Sequence, residues 1–269
     1  MDPLTHMVVG RAVVAVAVRD EDDVRAVGAA AILGALAPDA DVALAFAGWD
    51  RYVRAHQFGT HSLLGALTMA CLTAAAVRLF ARRSRYSTLL AAAAGGAMSH
   101  IALDLVSGAR IALAWPLVNR RVSWPLVAMA DPWIIGICVA GAIAAVSTRS
   151  IRSVGRRRRG AARFVIVTLT LFLAFKAAMF GLAIHRADLH SAGPSAVEAR
   201  WGSLTEWLVF ERSDGSIRSS SIKATGGPPV VVMSQPIAAE STLVEESRAL
   251  DTVRNFLAVH EFAFAMCRT

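Results

Sequence analysis

Read along its hydrophobicity, the chain is a series of apolar runs separated by short charged or proline-rich breaks. Residues 7–18 and 24–37 form the first two runs, parted by Arg19-Asp20-Glu21-Asp22-Asp23. At about 1.5 Å per residue each covers roughly 18–21 Å, short of a hydrocarbon core of about 30 Å, so the pair predicts a tilted or partly inserted helical hairpin. Residues 61–80 and 88–106 come close to spanning length, residues 133–146 form a span that ends at the second arginine cluster, and residues 164–184 form a last span that carries Lys176. That lysine is expected to snorkel or to pair within the bundle. Asp2-Pro3 and Asp131-Pro132 each read as a helix opening, with Asp as N-cap and Pro at the first helical position. Pro38-Asp39-Ala40-Asp41 reads as the end of the second helix and a turn or loop. The prolines and tryptophans after Gly108, at Trp115-Pro116 and Trp124-Pro125, predict an irregular interfacial segment.

Beyond His185 the pattern becomes that of a small water-exposed domain. Residues 207–210 and 217–222 flank Asp214-Gly215, a hairpin signal, Pro228-Pro229 precedes the β-branched run 230–232, and residues 245–260 predict a closing helix. The fold class that follows is an all-α integral membrane helical bundle, residues 1–185, with a small C-terminal α+β extracytoplasmic domain, residues 186–269.

Composition supports a membrane protein: 55% of residues are hydrophobic and the mean hydropathy is +0.50. The net charge of +8 raises the question of nucleic acid, but the surplus lies largely in arginine clusters at 78–85 and 149–163 that abut apolar runs. They read as cytoplasmic anchors, and no nucleic-acid partner is expected. With both clusters inside, the inner loops hold thirteen Lys and Arg against five in the outer ones. The N-terminus, loops 38–60 and 108–131, and the tail then face outward. Asp2 and His6 stand where the basic region of a signal peptide would lie, so no cleavable signal is expected. Cys71, Cys138 and Cys267 have no spacing that suggests disulfides or a thiolate metal site.

The same orientation collects chemistry on one side. His6, Asp39, Asp41, His56, His61, Asp104 and Asp131 fall at the outer ends of their helices, and His100 lies one turn deeper, about 6 Å. His100 and Asp104 are four residues apart and share a helical face. That geometry serves either a metal ion or a His–Asp hydrogen bond that hides two polar groups. His56 and His61 straddle Gly59 just before a long apolar run, an arrangement packing does not explain. Histidines with several carboxylates and no thiolates suit zinc, manganese or iron, and the acid-rich mix suits more than one ion. Such a cluster lowers the pKa of a bound water and steadies a leaving oxygen, the chemistry of phosphoester hydrolysis. At the outer leaflet a lipid or lipid-linked phosphate is the natural substrate class. A metal-binding transporter or sensor is the alternative, and it requires ionisable residues to continue across the inner half. A purely structural polar cluster is a third reading. His185, His190 and His260 are expected to solvate or pack.

Five stretches are familiar: Met-Asp-Pro-Leu-Thr-His at 1–6, Gly-Ala-Leu-Ala-Pro-Asp-Ala-Asp at 34–41, Thr-His-Ser-Leu-Leu-Gly at 60–65, Ser-His-Ile-Ala-Leu-Asp at 99–104 and Asp-Pro-Trp at 131–133. In this order they resemble the YdjM-like family of LexA-regulated, membrane-bound, metal-dependent hydrolases, over about residues 1–150. The resemblance implies a multi-pass protein of the bacterial inner membrane and a helical multi-zinc site distantly similar to that of zinc-dependent phospholipase C. It implies His6, Asp39, His61, His100 and Asp104 as metal ligands. His56 is taken as a further ligand, and Asp41 and Asp131 as catalytic acids; Asp131, Asp41 or Asp39 serves as general base, and sequence does not separate base from ligand. In one place the chain departs from the family pattern. Where the family shows His-Arg-Gly, this chain has His56-Gln57-Phe58, and Gln57 cannot replace a cation that steadies an anionic substrate. Arg54 and Arg120 are the candidates to supply the missing charge.

Overall fold

The computed structural model describes residues 1–17, 23–146, 154–187, 195–213 and 216–236, with the short stretches 246–247, 249–250 and 253–254. Contacts divide the chain into two units, one of Met1–Asp41 with Gln57–Ala174 and one of Val42–His56 with the chain from Phe175 onward.

The first unit is helical. Helix α1, Pro3–Ala17, opens as expected, with Asp2 Oδ1 accepting from the Thr5 amide at 2.9 Å. It is followed by α2, Val24–Leu36, which Asp23 caps. Pro38 does not end the second helix in a turn. The chain tightens there into a 3₁₀ segment, Ala37–Ala47, and Val24–Ala47 together is long and apolar enough to cross a membrane. Pro38 falls in the first turn of this segment, where a missing N–H costs little. After the seven-residue α3, Trp49–Ala55, come α4, Leu63–Phe80, and α5, Tyr86–Val106, both of membrane-crossing length and composition. Asp131 caps the shorter α6, Pro132–Val146, accepting from the Trp133 and Ile134 amides at 3.0 and 3.4 Å. The 34-residue α7, Val154–Ala187, contains a fourth candidate span, Arg159–Arg186.

Lipid tails are as apolar as leucine, so helices in a membrane gain most by bringing backbones close through small residues. Alanines at i, i+4 spacing, Ala66, Ala70 and Ala74, form the buried face of α4. Helices α2 and α5 approach backbone to backbone. A Cβ at Gly34 would lie 2.3 Å from the Ala93 carbonyl oxygen, and one at Gly96 would lie 2.2 Å from that of Ala31. Gly28 leaves room of another kind, for the Arg11 guanidinium, whose Nε is 2.8 Å from where a Cβ would stand. The sequence pattern hid that arginine inside an apolar run.

The 107–131 connection is irregular but pinned. Bridges join Ser107 to Pro125 and Ile111 to Val122, the Ala112 amide donates to the Gln57 carbonyl at 3.1 Å, and the Leu63 amide donates to the Leu113 carbonyl at 3.0 Å.

The second unit is built on an antiparallel sheet in the order β1, Ser195–Ala199; β2, Glu206–Ser213; β3, Ser216–Lys223; and β4, Val230–Pro236. Strands β2 and β3 pair down to Ser213 opposite Ser216, as the hairpin signal requires, while Asp214 and Gly215 lie outside the described residues. Most of the helix expected over 245–260 lies outside them too. Trp207, Val209, Ile222 and Ala224 pack with Met179, Phe180 and Ala183 of α7. Lys176 does not snorkel. It is fully buried in this second unit, donating to the Ser203 and Leu204 carbonyls at 3.0 and 3.5 Å, with its ammonium 4.5 Å from the centre of the Trp207 ring. The carbonyls and the aromatic face replace the water that a buried ammonium would otherwise lose.

Gly96→Ala is expected to lower the thermal midpoint of the detergent-solubilised protein. Overpacking against a backbone carbonyl costs about 1–3 kcal/mol, more than the roughly 1 kcal/mol of helix propensity gained. Gly136→Ala, where a Cβ meets nothing within 4 Å, is expected to leave the midpoint unchanged or raise it.

Candidate metal centre

The α2–α5 contact sets the site. Just beyond α2, Asp39 is held beside His100 and Asp104, which lie one turn apart on α5. His61 arrives from a separate short 3₁₀ turn, Gly59–His61. Ser62 then caps α4, its hydroxyl accepting from the Gly65 amide at 2.9 Å and donating to the Gly59 carbonyl at 2.7 Å. This locks the turn, and with it the His61 ring.

Asp39, His61, His100 and Asp104 each offer an atom within 4.8 Å of all the others. Within that limit the spacing is tighter and nearly uniform. His61 Nε2 is 3.3 Å from Asp39 Oδ1, 3.5 Å from Asp104 Oδ2 and 3.3 Å from His100 Nε2. His100 Nε2 is 3.5 Å from Asp39 Oδ1 and 3.2 Å from Asp104 Oδ2. Ligands about 2.0–2.1 Å from a tetrahedral zinc ion stand about 3.3–3.4 Å from each other. Five of the six edges therefore have the length that one ion of this size imposes. His61, His100 and Asp104 are almost wholly buried, whereas the Asp39 side chain is 33% exposed, so the group opens to solvent on the Asp39 side.

Hydrogen bonds outside the group fix which ring nitrogens face in. His100 Nδ1 lies 2.8 Å from the Ala35 carbonyl, which can only accept, so Nδ1 carries the proton and Nε2 turns inward. Pro38 has no N–H to return to Ala35 in a segment of three residues per turn, and the histidine takes that place. The Thr60 hydroxyl donates to Asp41 Oδ2 at 3.1 Å and accepts from His61 Nδ1 at 3.1 Å, so His61 also presents Nε2 to the group. Two imidazole lone pairs and two carboxylate oxygens thus converge. Burial by itself would lower the His61 pKa, but its hydrogen bonds to Asp104 and Asp39 outweigh burial and push it up to about 9. The centre demands a positive charge.

His6 lies next to this group. Its ring stacks on His100 at a centroid distance of 3.8 Å, and Nε2 is 3.3 Å from Asp104 Oδ1. Both His6 ring nitrogens are buried without a hydrogen-bond partner among the described residues. Asp104 therefore turns one oxygen to His61 and His100 and the other to His6 and the Met1 nitrogen. Asp41 lies behind His61, 3.7 Å from Nδ1, where it orients the ring. Asp131 Oδ1 accepts both amides of the α6 cap. His56 belongs to the second unit, where it ends α3 and its ring lies 4.8 Å from that of Tyr52. Sequence reasoning missed Thr60 and the Ala35 carbonyl. Thr60 stands inside the Thr-His-Ser stretch, a signal that was on view; the role of a backbone carbonyl leaves none.

Outer partners of metal-bound histidines are worth about 10–100-fold in affinity. Asp41→Ala and Thr60→Val are each expected to weaken divalent-metal binding within that range without abolishing it, as competition with a chromophoric chelator would show. Below about pH 9 the metal-free His61 holds a proton that a cation must displace. Metal affinity is therefore expected to rise with pH, with protons released to the buffer near neutrality; calorimetry in two buffers of different ionisation enthalpy checks this.

No curated protein and no solved structure matches the chain. The model of one protein family does, described as YdjM inner membrane protein, over residues 1–183. That span includes the candidate metal centre and more than half of the chain, and the chain belongs to the YdjM inner membrane protein family.

Proposed function

We propose that this chain is a membrane-bound, metal-dependent hydrolase that cleaves a phosphoester, with a lipid or lipid-linked phosphate as substrate, at the outward end of its helical bundle. The observation that carries the reading is the nearly regular set of edges, 3.2 to 3.5 Å, among four inward-facing acceptor atoms. Two imidazoles and two carboxylates in that geometry suit zinc. The second oxygen of Asp104 and the unpartnered His6 nitrogens suit a further cation on the other side of the carboxylate. When bound, such ions lower the pKa of a water and draw charge from a phosphoryl oxygen.

The residues of the chain have separate parts in this reading. His61, His100, Asp39 and Asp104 hold the cation. Asp41 acts through Thr60 to keep His61 Nε2 turned inward, and the Ala35 carbonyl does the same for His100. Asp39, the exposed member, marks the side from which water and substrate arrive. Asp131 holds the start of α6 in place. The outward placement rests on the excess of arginine in the opposite loops.

A transported cation would need acceptors deeper in the bundle. Among the described residues of α1, α2, α4, α5, α6 and α7, Asp104 is the one carboxylate, and it lies at the mouth. This favours hydrolysis over transport.

Elemental mass spectrometry on detergent-purified protein tests the reading. The wild type is expected to retain a divalent ion, with zinc first among the candidates, and His100→Ala and Asp39→Asn to lose it while keeping the helical circular dichroism. The loaded wild type is then expected to release the phosphorylated headgroup or phosphate from an anionic lipid, and both variants to fall to background. A wild type that binds no ion after metal is added back refutes the proposal.

A further inference from the structure

Helices α2 and α5 run parallel, with Ala31 against Gly96 and Ala35 against His100, and α1 runs antiparallel to both, with Gly10 beside Ser99 and Val14 beside Gly95. The end of α1 and the first turns of α2 and α5 therefore meet at the end of the bundle away from the metal centre. Near the centre the packing is tight, and a Cβ on Gly10 would lie 2.6 Å from that of Ala35. Towards the other end the three helices part around a groove of about 200 Å³. Val14 of α1, Val27 of α2 and Ala92 and Gly95 of α5 wall it, and Val13 and Ala91 stand exposed on its rim. Thr88 is the one polar residue of the lining. An open apolar groove on the flank of a membrane bundle faces hydrocarbon, and its walls gain dispersion contacts only when an acyl chain fills it.

The turn before α5 sets the chemistry at the mouth. Thr88 lies three residues, about 4.5 Å along the helix, from Arg85. Arg85 is exposed and its side chain makes no hydrogen bond or ion pair among the described residues. No side chain caps α5 at this position, so its first amides have no partner within the helix and, with the helix dipole, favour an anion. Beside them the Ser84 hydroxyl is buried without a hydrogen-bond partner among the described residues, a donor that the fold leaves unused. Residues 78–103 hold four arginines and no acid. Across the groove, Asp23 Oδ1 accepts from the Arg25 and Ala26 amides at 3.1 and 3.2 Å, and the acids at 20–22 lie outside the described residues.

We propose that this groove binds an anionic glycerophospholipid, with one acyl chain between α1, α2 and α5 and the phosphate on Arg85 and the uncapped first turn of α5. With the arginine clusters inside, this is the cytoplasmic leaflet, whose anionic lipids are drawn to basic sites between helices. The lipid fastens α1 to its neighbours at the end opposite His6, so membrane composition sets the stability of the bundle that holds the centre. The inference is independent of the hydrolase reading.

Native mass spectrometry and thermal unfolding of the detergent-purified full chain test it, with dioleoyl phosphatidylglycerol, dioleoyl phosphatidylcholine and inorganic phosphate as probes and metal content measured on the same samples. The wild type is expected to retain one phosphatidylglycerol in preference to phosphatidylcholine, and to melt higher in its presence. Arg85→Ala should weaken phosphatidylglycerol about tenfold or more and leave phosphatidylcholine unchanged, and Arg85→Lys should recover part of the loss. Ala91→Leu, which fills the groove from its rim with a good helix former, should weaken both lipids without lowering the midpoint of the lipid-free protein. Arg218→Ala, on β3, should change neither. Equal retention of the two lipids by wild type and Arg85→Ala overturns the inference. Phosphatidylglycerol lost in Arg85→Ala but held normally by Ala91→Leu, or inorganic phosphate raising the midpoint as far as the lipid does, overturns the part assigned to the groove. A wild type that retains phosphatidylglycerol but binds no metal supports the inference while the hydrolase reading fails.

Discussion

The backbones of α2 and α5 meet at Gly34 and Gly96 with no side chain between them. Everything at the candidate centre depends on that approach. It brings the last turn of α2 close enough for the Ala35 carbonyl to hold His100, and it sets Asp39, four residues further on, against the same imidazole. A pair of helices separated by leucines would stand some ångströms further apart, and the edges of the ligand group would open beyond what one ion can bridge. Packing and chemistry are therefore one problem in this bundle. The small residues that let helices associate in lipid also define the size of the site.

Such a cluster is costly to bury. Ionisable groups at membrane depth are tolerated where they pair, coordinate or line a polar cavity, and half-satisfied networks are worse than apolar packing. Here the outer half of the network is complete: Thr60, Asp41 and the Ala35 carbonyl account for the outward nitrogens of His61 and His100. The inner half consists of acceptors facing acceptors. In the metal-free protein a proton on His61 answers part of that demand, which raises its pKa to about 9. The His6 nitrogens, buried without partners among the described residues, extend the same imbalance across Asp104.

Much of this was legible in the chain because it follows from fixed periods. Four residues between His100 and Asp104 guarantee a common face, and the aspartates before Pro3 and Pro132 cap helices as such residues do. What escaped depended on where distant segments meet. Asp39 and Asp41 read as a pair converging from a loop, but in a 3₁₀ segment neighbours two apart point about 120° from each other. One therefore faces the inward nitrogen of His61 and the other its outward nitrogen. Lys176 had no visible partner because its partners are backbone carbonyls and a tryptophan more than twenty-five residues away. Sequence patterning does not carry that kind of information.

The departure at Gln57 and Phe58 takes on a different meaning in three dimensions. Read along the chain, it removes a cation close to His61, and the sequence offers Arg54 and Arg120 as substitutes. The fold brings Arg121 onto the Phe58 ring, from a loop that is hydrogen-bonded on both sides of that residue. An aromatic residue in this place provides what a glycine cannot, a flat surface on which a guanidinium from elsewhere can rest. The loop that carries Arg121 also carries the exposed apolar residues Leu117 and Val118, so a cation and an apolar tip belong to one element.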